Sequence, residues 1–186
     1  MTKFNGRGFA AMSIAVLSLA AVVPMSTVQA QSTTTMAVAD ENLNAPRFVQ
    51  RTGSLNLYLI NSSKMALQRS QNEAVRGFAQ RLVEHHSAMQ YDLAAVNNSN
   101  VGSSMPSAMN ADDTRRMGDL AGVDGPSFNA NYMRNAIIML DEELAIAKAQ
   151  AANGKVESLR KFAAATVAKI DANLREAKTI AGTAGL

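Results

Sequence analysis

Residues 72–96, NEAVRGFAQRLVEHHSAMQYDLAAV, decide the fold. Val75, Ala79, Leu82, His86, Met89, Leu93 and Val96 recur at steps of three and four, which lines one face of an α-helix. The spacing predicts a helix from about Asn72 to Val96, ended by Asn97-Asn98-Ser99-Asn100. A single apolar stripe on so long a helix must be covered by other elements.

The flanking segments supply that cover. Upstream, Pro46 suits a first helical turn, and a helix is expected from there to about Ser70. Leu55, Leu59, Ser62 and Ala66 form its stripe, and Gln71-Asn72 make the break. Downstream, residues 97–110 hold Gly102, Ser103, Ser104 and Pro106 and read as a loop, followed by a short helix over 111–121. After Gly122, Gly125 and Pro126, Ser127 caps a helix to about Ala151 with Met133, Ile137, Leu140, Leu144, Ala147 and Ala151 inward. Asn153-Gly154 breaks the chain again. The last helix, 155–181, turns Leu159, Ala163, Thr166, Ile170, Asn173, Ala177 and Ile180 inward. Four such helices joined short–long–short predict an all-α, up-down four-helix bundle with a long middle crossover, of the ferritin-like type.

The start of the chain reads differently. Lys3 and Arg7 precede an apolar run over 9–23, Pro24 interrupts it, and Val28-Gln29-Ala30 offers small residues at a cleavage site. Residues 1–30 are therefore expected to be a secretory signal peptide cut before Gln31, which places the protein in the periplasm or cell envelope. An uncleaved membrane anchor is the competing reading, but the run falls short of the roughly 20 apolar residues that span a bilayer. Residues 31–45 are polar and aperiodic, a flexible spacer; the bundle domain is 46–181, with 182–186 as a tail.

Charge and cysteine content exclude several classes. The chain has 18 basic and 15 acidic side chains; without Lys3 and Arg7 the balance is 16 to 15. Interspersed charge of this kind does not mark a nucleic-acid binder. The absence of cysteine excludes disulfides, thiolate nucleophiles and thiolate metal sites.

Several fragments carry a resemblance: Phe48-Val49, Ser62-Ser63-Lys64-Met65-Ala66, Phe78-Ala79-Gln80-Arg81-Leu82-Val83-Glu84-His85-His86, Phe128-Asn129-Ala130-Asn131-Tyr132, Phe162-Ala163 and Asn173-Leu174. In order and spacing, over about 46–181, the chain resembles the exported, ferritin-like bacterial family called domain of unknown function 4142. The resemblance implies a polar core that this chain has largely lost. Leu59 and Asn61 stand where the family typically has acidic residues, His85 replaces a usual Asp, and Asn129 replaces another. Leu140 and Asn173 occupy positions where it has histidines, while His86 is kept.

The remaining chemistry is sparse. His85 and His86 are the only histidines, and as helical neighbours they point about 100° apart and do not chelate one ion easily. No Glu-x-x-His occurs, so a di-iron carboxylate centre is not expected. No metal site or cofactor is predicted; a metal, if bound, would use His86 with His85 and Asn173. The plainer reading makes His86 and Asn173 a hydrogen-bonded polar pair across an otherwise nearly apolar centre, with His85 exposed on the flank. Asp112-Asp113 and Asp141-Glu142-Glu143 read as solvated helix faces.

Eight methionines lie beyond residue 30. Met65, Met89 and Met133 suit core filling, while Met105, Met109 and Met117 near the crossover keep a copper(I) reading open. The expectation is an exported, non-catalytic bundle with a binding or stress-support role in the envelope. Two alternatives stand beside it: a periplasmic metal-binding or metal-dependent oxidative protein working through His86, and an interaction module at the outer membrane. An envelope protein or membrane surface is the expected kind of partner, nucleic acid is not, and a homo-oligomer stays open.

Overall fold

A computed structural model describes residues 44–183, Pro126 apart. Over these residues the chain forms α-helices and no strand: α1 (Ala45–Arg69), α2 (Glu73–Asn100), α3 (Ala111–Ala121), α4 (Ser127–Asn153) and α5 (Glu157–Thr183). The expected leader, most of the spacer and residues 184–186 lie outside the described residues. None of the described helices is long and apolar enough to cross a membrane.

Local chemistry sets the helix ends. Pro46 lies in the first turn of α1, where its missing N–H breaks no helical bond. The Asn72 side chain accepts from the Val75 N–H at 3.1 Å to start α2, and Asn110 accepts from Asp113 N–H at 2.8 Å to start α3. Caps of this type contribute about 1 kcal/mol each.

α2 is longer than its pattern suggested. The helix continues through 97–100, and the side chains of Asn97 and Asn100 find local partners. Asn97 is fully buried and exchanges hydrogen bonds with Ser103 (2.5 Å to its carbonyl, 2.7 Å from its hydroxyl), and Asn100 donates to Val96 O at 3.0 Å. The turn falls instead at Gly102, whose φ of 66° lies in the left-handed region. α4 likewise reaches Asn153, and α5 runs from Glu157 to Thr183, two residues later than expected at each end.

Packing follows the stripes. α1 pairs with α2 and α4 with α5, each pair closed by a three-residue link; α1 also packs on α4 and α2 on α5, while α3 lies chiefly along α1. Leu55, Leu59, Phe78, Leu82, Tyr132, Met133, Leu140, Leu159 and Ile170 are fully buried in one continuous core. Each such side chain contributes roughly 1.5–3 kcal/mol of burial. Of the methionines, Met89, Met133 and Met139 are core residues, whereas Met65, Met105, Met109 and Met117 are half-buried against it. The crossover loop approaches α1 closely: a Cβ at Gly53 would collide with the Pro106 ring.

Candidate functional site

Each long helix delivers a polar side chain to the interior. Asn56 comes from α1, His86 from α2, Glu143 from α4 and Asn173 from α5, all at most 3% exposed. His86 Nδ1 lies 2.9 Å from Asn56 Oδ1, and Asn56 Nδ2 donates to Gln90 Oε1 at 3.1 Å. That chain fixes the ring: with Asn56 oriented to donate to Gln90, its oxygen accepts, so Nδ1 carries the proton. The partner is therefore Asn56 and not Asn173. Asn173 instead pairs with His85 Nδ1 at 3.1 Å, which makes His85 half-buried and not a solvent-facing flank residue. Adjacent histidines point to different sectors of α2, so one faces α1 and the other α5.

The centre holds a second titratable group. Glu143 is 1% exposed, and its Oε2 lies 3.7 Å from His86 Nδ1. The expectation of a solvated Asp141-Glu142-Glu143 face is thus corrected: successive helical steps leave Asp141 exposed, Glu142 half-buried and Glu143 inside. Burial pushes the Glu143 carboxyl up to about 8; Arg51 pulls it back and Glu142 adds to the rise. Burial likewise lowers His86 to about 3, helped by the nearby His85 and Lys169. At neutral pH a protonated carboxyl therefore faces a neutral imidazole. The 3.7 Å approach is neither an ion pair nor, at that length, a hydrogen bond. Glu143 Oε1 and Oε2, His86 Nε2 and Asn173 Nδ2 are all buried without a hydrogen-bond partner. Buried polar atoms normally have one, so four idle atoms in one core stand out.

A second polar group borders this centre. Arg51 donates Nε and Nη2 to the two oxygens of Glu142, each at 2.6 Å, and Nη1 to Asp113. Ser54 Oγ donates to Asp113 Oδ2 at 2.6 Å, and the Asn110 N–H donates to Ser54 Oγ at 2.9 Å. Burial works against the Arg51 charge, but its two carboxyl partners more than offset this, so its pKa lies above the ordinary value. Asp113 is 2% exposed, so the expected solvated start of α3 is corrected at this residue: Asp112 is exposed as expected, while Asp113 anchors α3 to α1. Beside Arg51 an open cleft of about 590 Å³ lies between the start of α1 and the crossover loop, lined by Arg47, Gln50, Ser54, Met105 and Met109 among others.

The residues singled out by the resemblance fall in several places. Leu59 and Leu140 are fully buried apolar core, Asn61 is exposed, and Asn129 is half-buried with an unpartnered oxygen. Asn56, Glu143 and Asp113 were missed. A spacing signal existed for Glu143: Ala136, Met139, Glu143, Ile146 and Gln150 step by three and four beside the stripe drawn through Leu140, and all are buried. Among the described residues no three His, Cys, Asp or Glu side chains converge as a metal-holding group.

These features define an all-helical bundle with a sealed polar centre. The chain belongs to the family described as domain of unknown function (DUF4142), whose model matches residues 28–180. Among solved structures, CopM in the Cu(II)-bound form is similar in fold, with a TM-score of 0.62 and 14% identity, covering 73% of this chain and 93% of that one. No match is found among curated proteins.

Proposed function

We propose that this is an exported, non-catalytic bundle of the cell envelope that works by binding, in a stress-support role, and not by turnover. The observation that carries the reading is the sealing of the polar centre. His86 and Glu143 are 0% and 1% exposed, so a substrate has no contact with either, whereas a sealed site suits retention of something small. The four long helices, paired through short links and joined by a long segment containing α3, support a four-helix, ferritin-like reading with up-down order. The apolar run over 9–23 and Val28-Gln29-Ala30 support export and cleavage before Gln31. The interspersed charges favour an envelope protein or membrane surface as partner over nucleic acid.

A metal-binding role is favoured by one specific observation, the idle donor atoms around His86 and Glu143. The Cu(II)-bound form of the fold neighbour adds support at the level of architecture.

Fractionation tests the main reading. The protein should appear in the periplasmic or envelope fraction with Gln31 at its N-terminus by mass spectrometry. Cytoplasmic protein, or a membrane form retaining residues 9–23, overturns it.

A further inference from the structure

We propose that His86, Glu143 and Asn56 form a binding site for one divalent transition-metal ion, bound through the imidazole Nδ1, the carboxylate and the amide oxygen. The inference rests on the reading that the bundle works by binding, and it names the ligand class.

Spacing is the first argument. Nδ1 lies 2.9 Å from Asn56 Oδ1 and 3.7 Å from Glu143 Oε2. Transition ions hold nitrogen and oxygen donors at about 2.0–2.2 Å, so two donors on one ion sit about 3–4 Å apart. The three atoms come from three helices, and Nδ1 already has that separation from each of the two oxygens.

The second argument is the idle hydrogen-bonding capacity. A carboxyl kept only to fix helix register would spend its oxygens on donors. Here both Glu143 oxygens have none, although the residue is 1% exposed. An ion on Nδ1 moves the ring proton to Nε2 and replaces the acid proton of Glu143, which leaves as H⁺. The bound state then has a net charge of +1: two positive charges from the ion and one negative from the carboxylate.

The donor types narrow the ion. One imidazole and two oxygens, with no thiolate anywhere in the chain, suit Cu(II) or Zn(II), and Cu(II) binds such sets most tightly. His85 is outside the set because its Nδ1 is held by Asn173.

The test uses the chain purified from cells, stripped with chelator and titrated with Cu(II), both as the native protein and after refolding in the presence of the ion. Expected are saturation at one ion per chain and an electron paramagnetic resonance spectrum with coupling to one imidazole nitrogen. His86→Gln and Glu143→Gln should each weaken binding by at least about tenfold, His85→Asn should leave it unchanged, and Asn56→Asp should tighten it. If a loss variant fails to fold, the wild-type spectrum decides: no nitrogen coupling, or coupling to two, overturns the site. Binding that survives His86→Gln is surface copper and overturns it too. No saturable binding by protein that still fractionates with the envelope sinks this inference and leaves the envelope reading standing.

Discussion

Glu142 and Glu143 are consecutive in α4, yet they meet opposite surroundings. Glu142 receives two parallel N–H donors from Arg51, which also holds the buried Asp113, and Ser54 completes that group. Glu143, one step round the helix, meets an imidazole too far away to bond and no donor at all. In the first region the carboxylates of Glu142 and Asp113 meet N–H and O–H donors carried by α1. In the second, burial without a donor holds the Glu143 carboxyl well above its ordinary value. Two consecutive carboxyls of one helix thus differ in what the facing helix offers them.

The comparison can be broken most violently by adding a charge where nothing can answer it. Leu82 is fully buried in the apolar stripe of α2. Leu82→Asp should cost more than about 4 kcal/mol, enough to unfold a domain of this size, because it buries an unpaired group. Circular dichroism of the wild type should show dominant helix; a Leu82→Asp variant melting near the parent's temperature would show that the inner face of α2 is misassigned.

Removing the supplier in the first region comes next. Arg51→Ala leaves Asp113 buried without its cation and should lower unfolding free energy by about 3–5 kcal/mol in urea. A loss below about 1 kcal/mol would mean that Ser54 and the Asn110 backbone hold Asp113 unaided.

The smallest effect is the pH response of the second region, in protein kept metal-free with chelator. The Glu143 pKa is raised from 4.5 to about 8 on folding, so its stabilising effect is complete below 4.5 and lost as pH rises through 8. His86 is lowered from 6.5 to about 3, so its effect is complete above 6.5 and lost as pH falls through 3. The two slopes cancel between 4.5 and 6.5. Stability should therefore be flat there and fall by about 2 kcal/mol towards pH 8 and by a similar amount towards pH 3. Glu143→Gln should abolish the alkaline limb and His86→Gln the acidic one. Urea midpoints that keep both limbs in both variants would assign the titrations elsewhere.

The helices were legible in the sequence because the apolar stripe of each is a local pattern. Leu55, Leu59, Leu82, Leu93, Leu140 and Ile170 are core residues as their spacing required, and α3 starts and stops at Ala111 and Ala121 as read. The polar partners were not legible. Whether His86 meets Asn56 or Asn173 depends on the rotation of α2 against α1 and α5, which no repeat within α2 encodes. α1 adds a further difficulty: covered by α2, α3, α4 and the crossover loop, it buries Thr52, Ser54, Asn56, Ser62 and Ser63, far more than one stripe. Acidic runs such as Asp112-Asp113 and Asp141-Glu142-Glu143 look like surface until the facing helix is known.

The polar centre is divided between the two helical hairpins. Asn56 and His86 meet within α1–α2, whereas Glu143 and Asn173 both belong to α4–α5. Each hairpin is closed by three residues and can form from contacts near in sequence, which is the fast route for a folding chain. His86 reaches Glu143, and His85 reaches Asn173, only when the hairpins dock. Drying of the imidazole and carboxyl is thus deferred to the final joining of the halves. Substitutions at Glu143 should accordingly alter the rate of unfolding much more than the rate of folding.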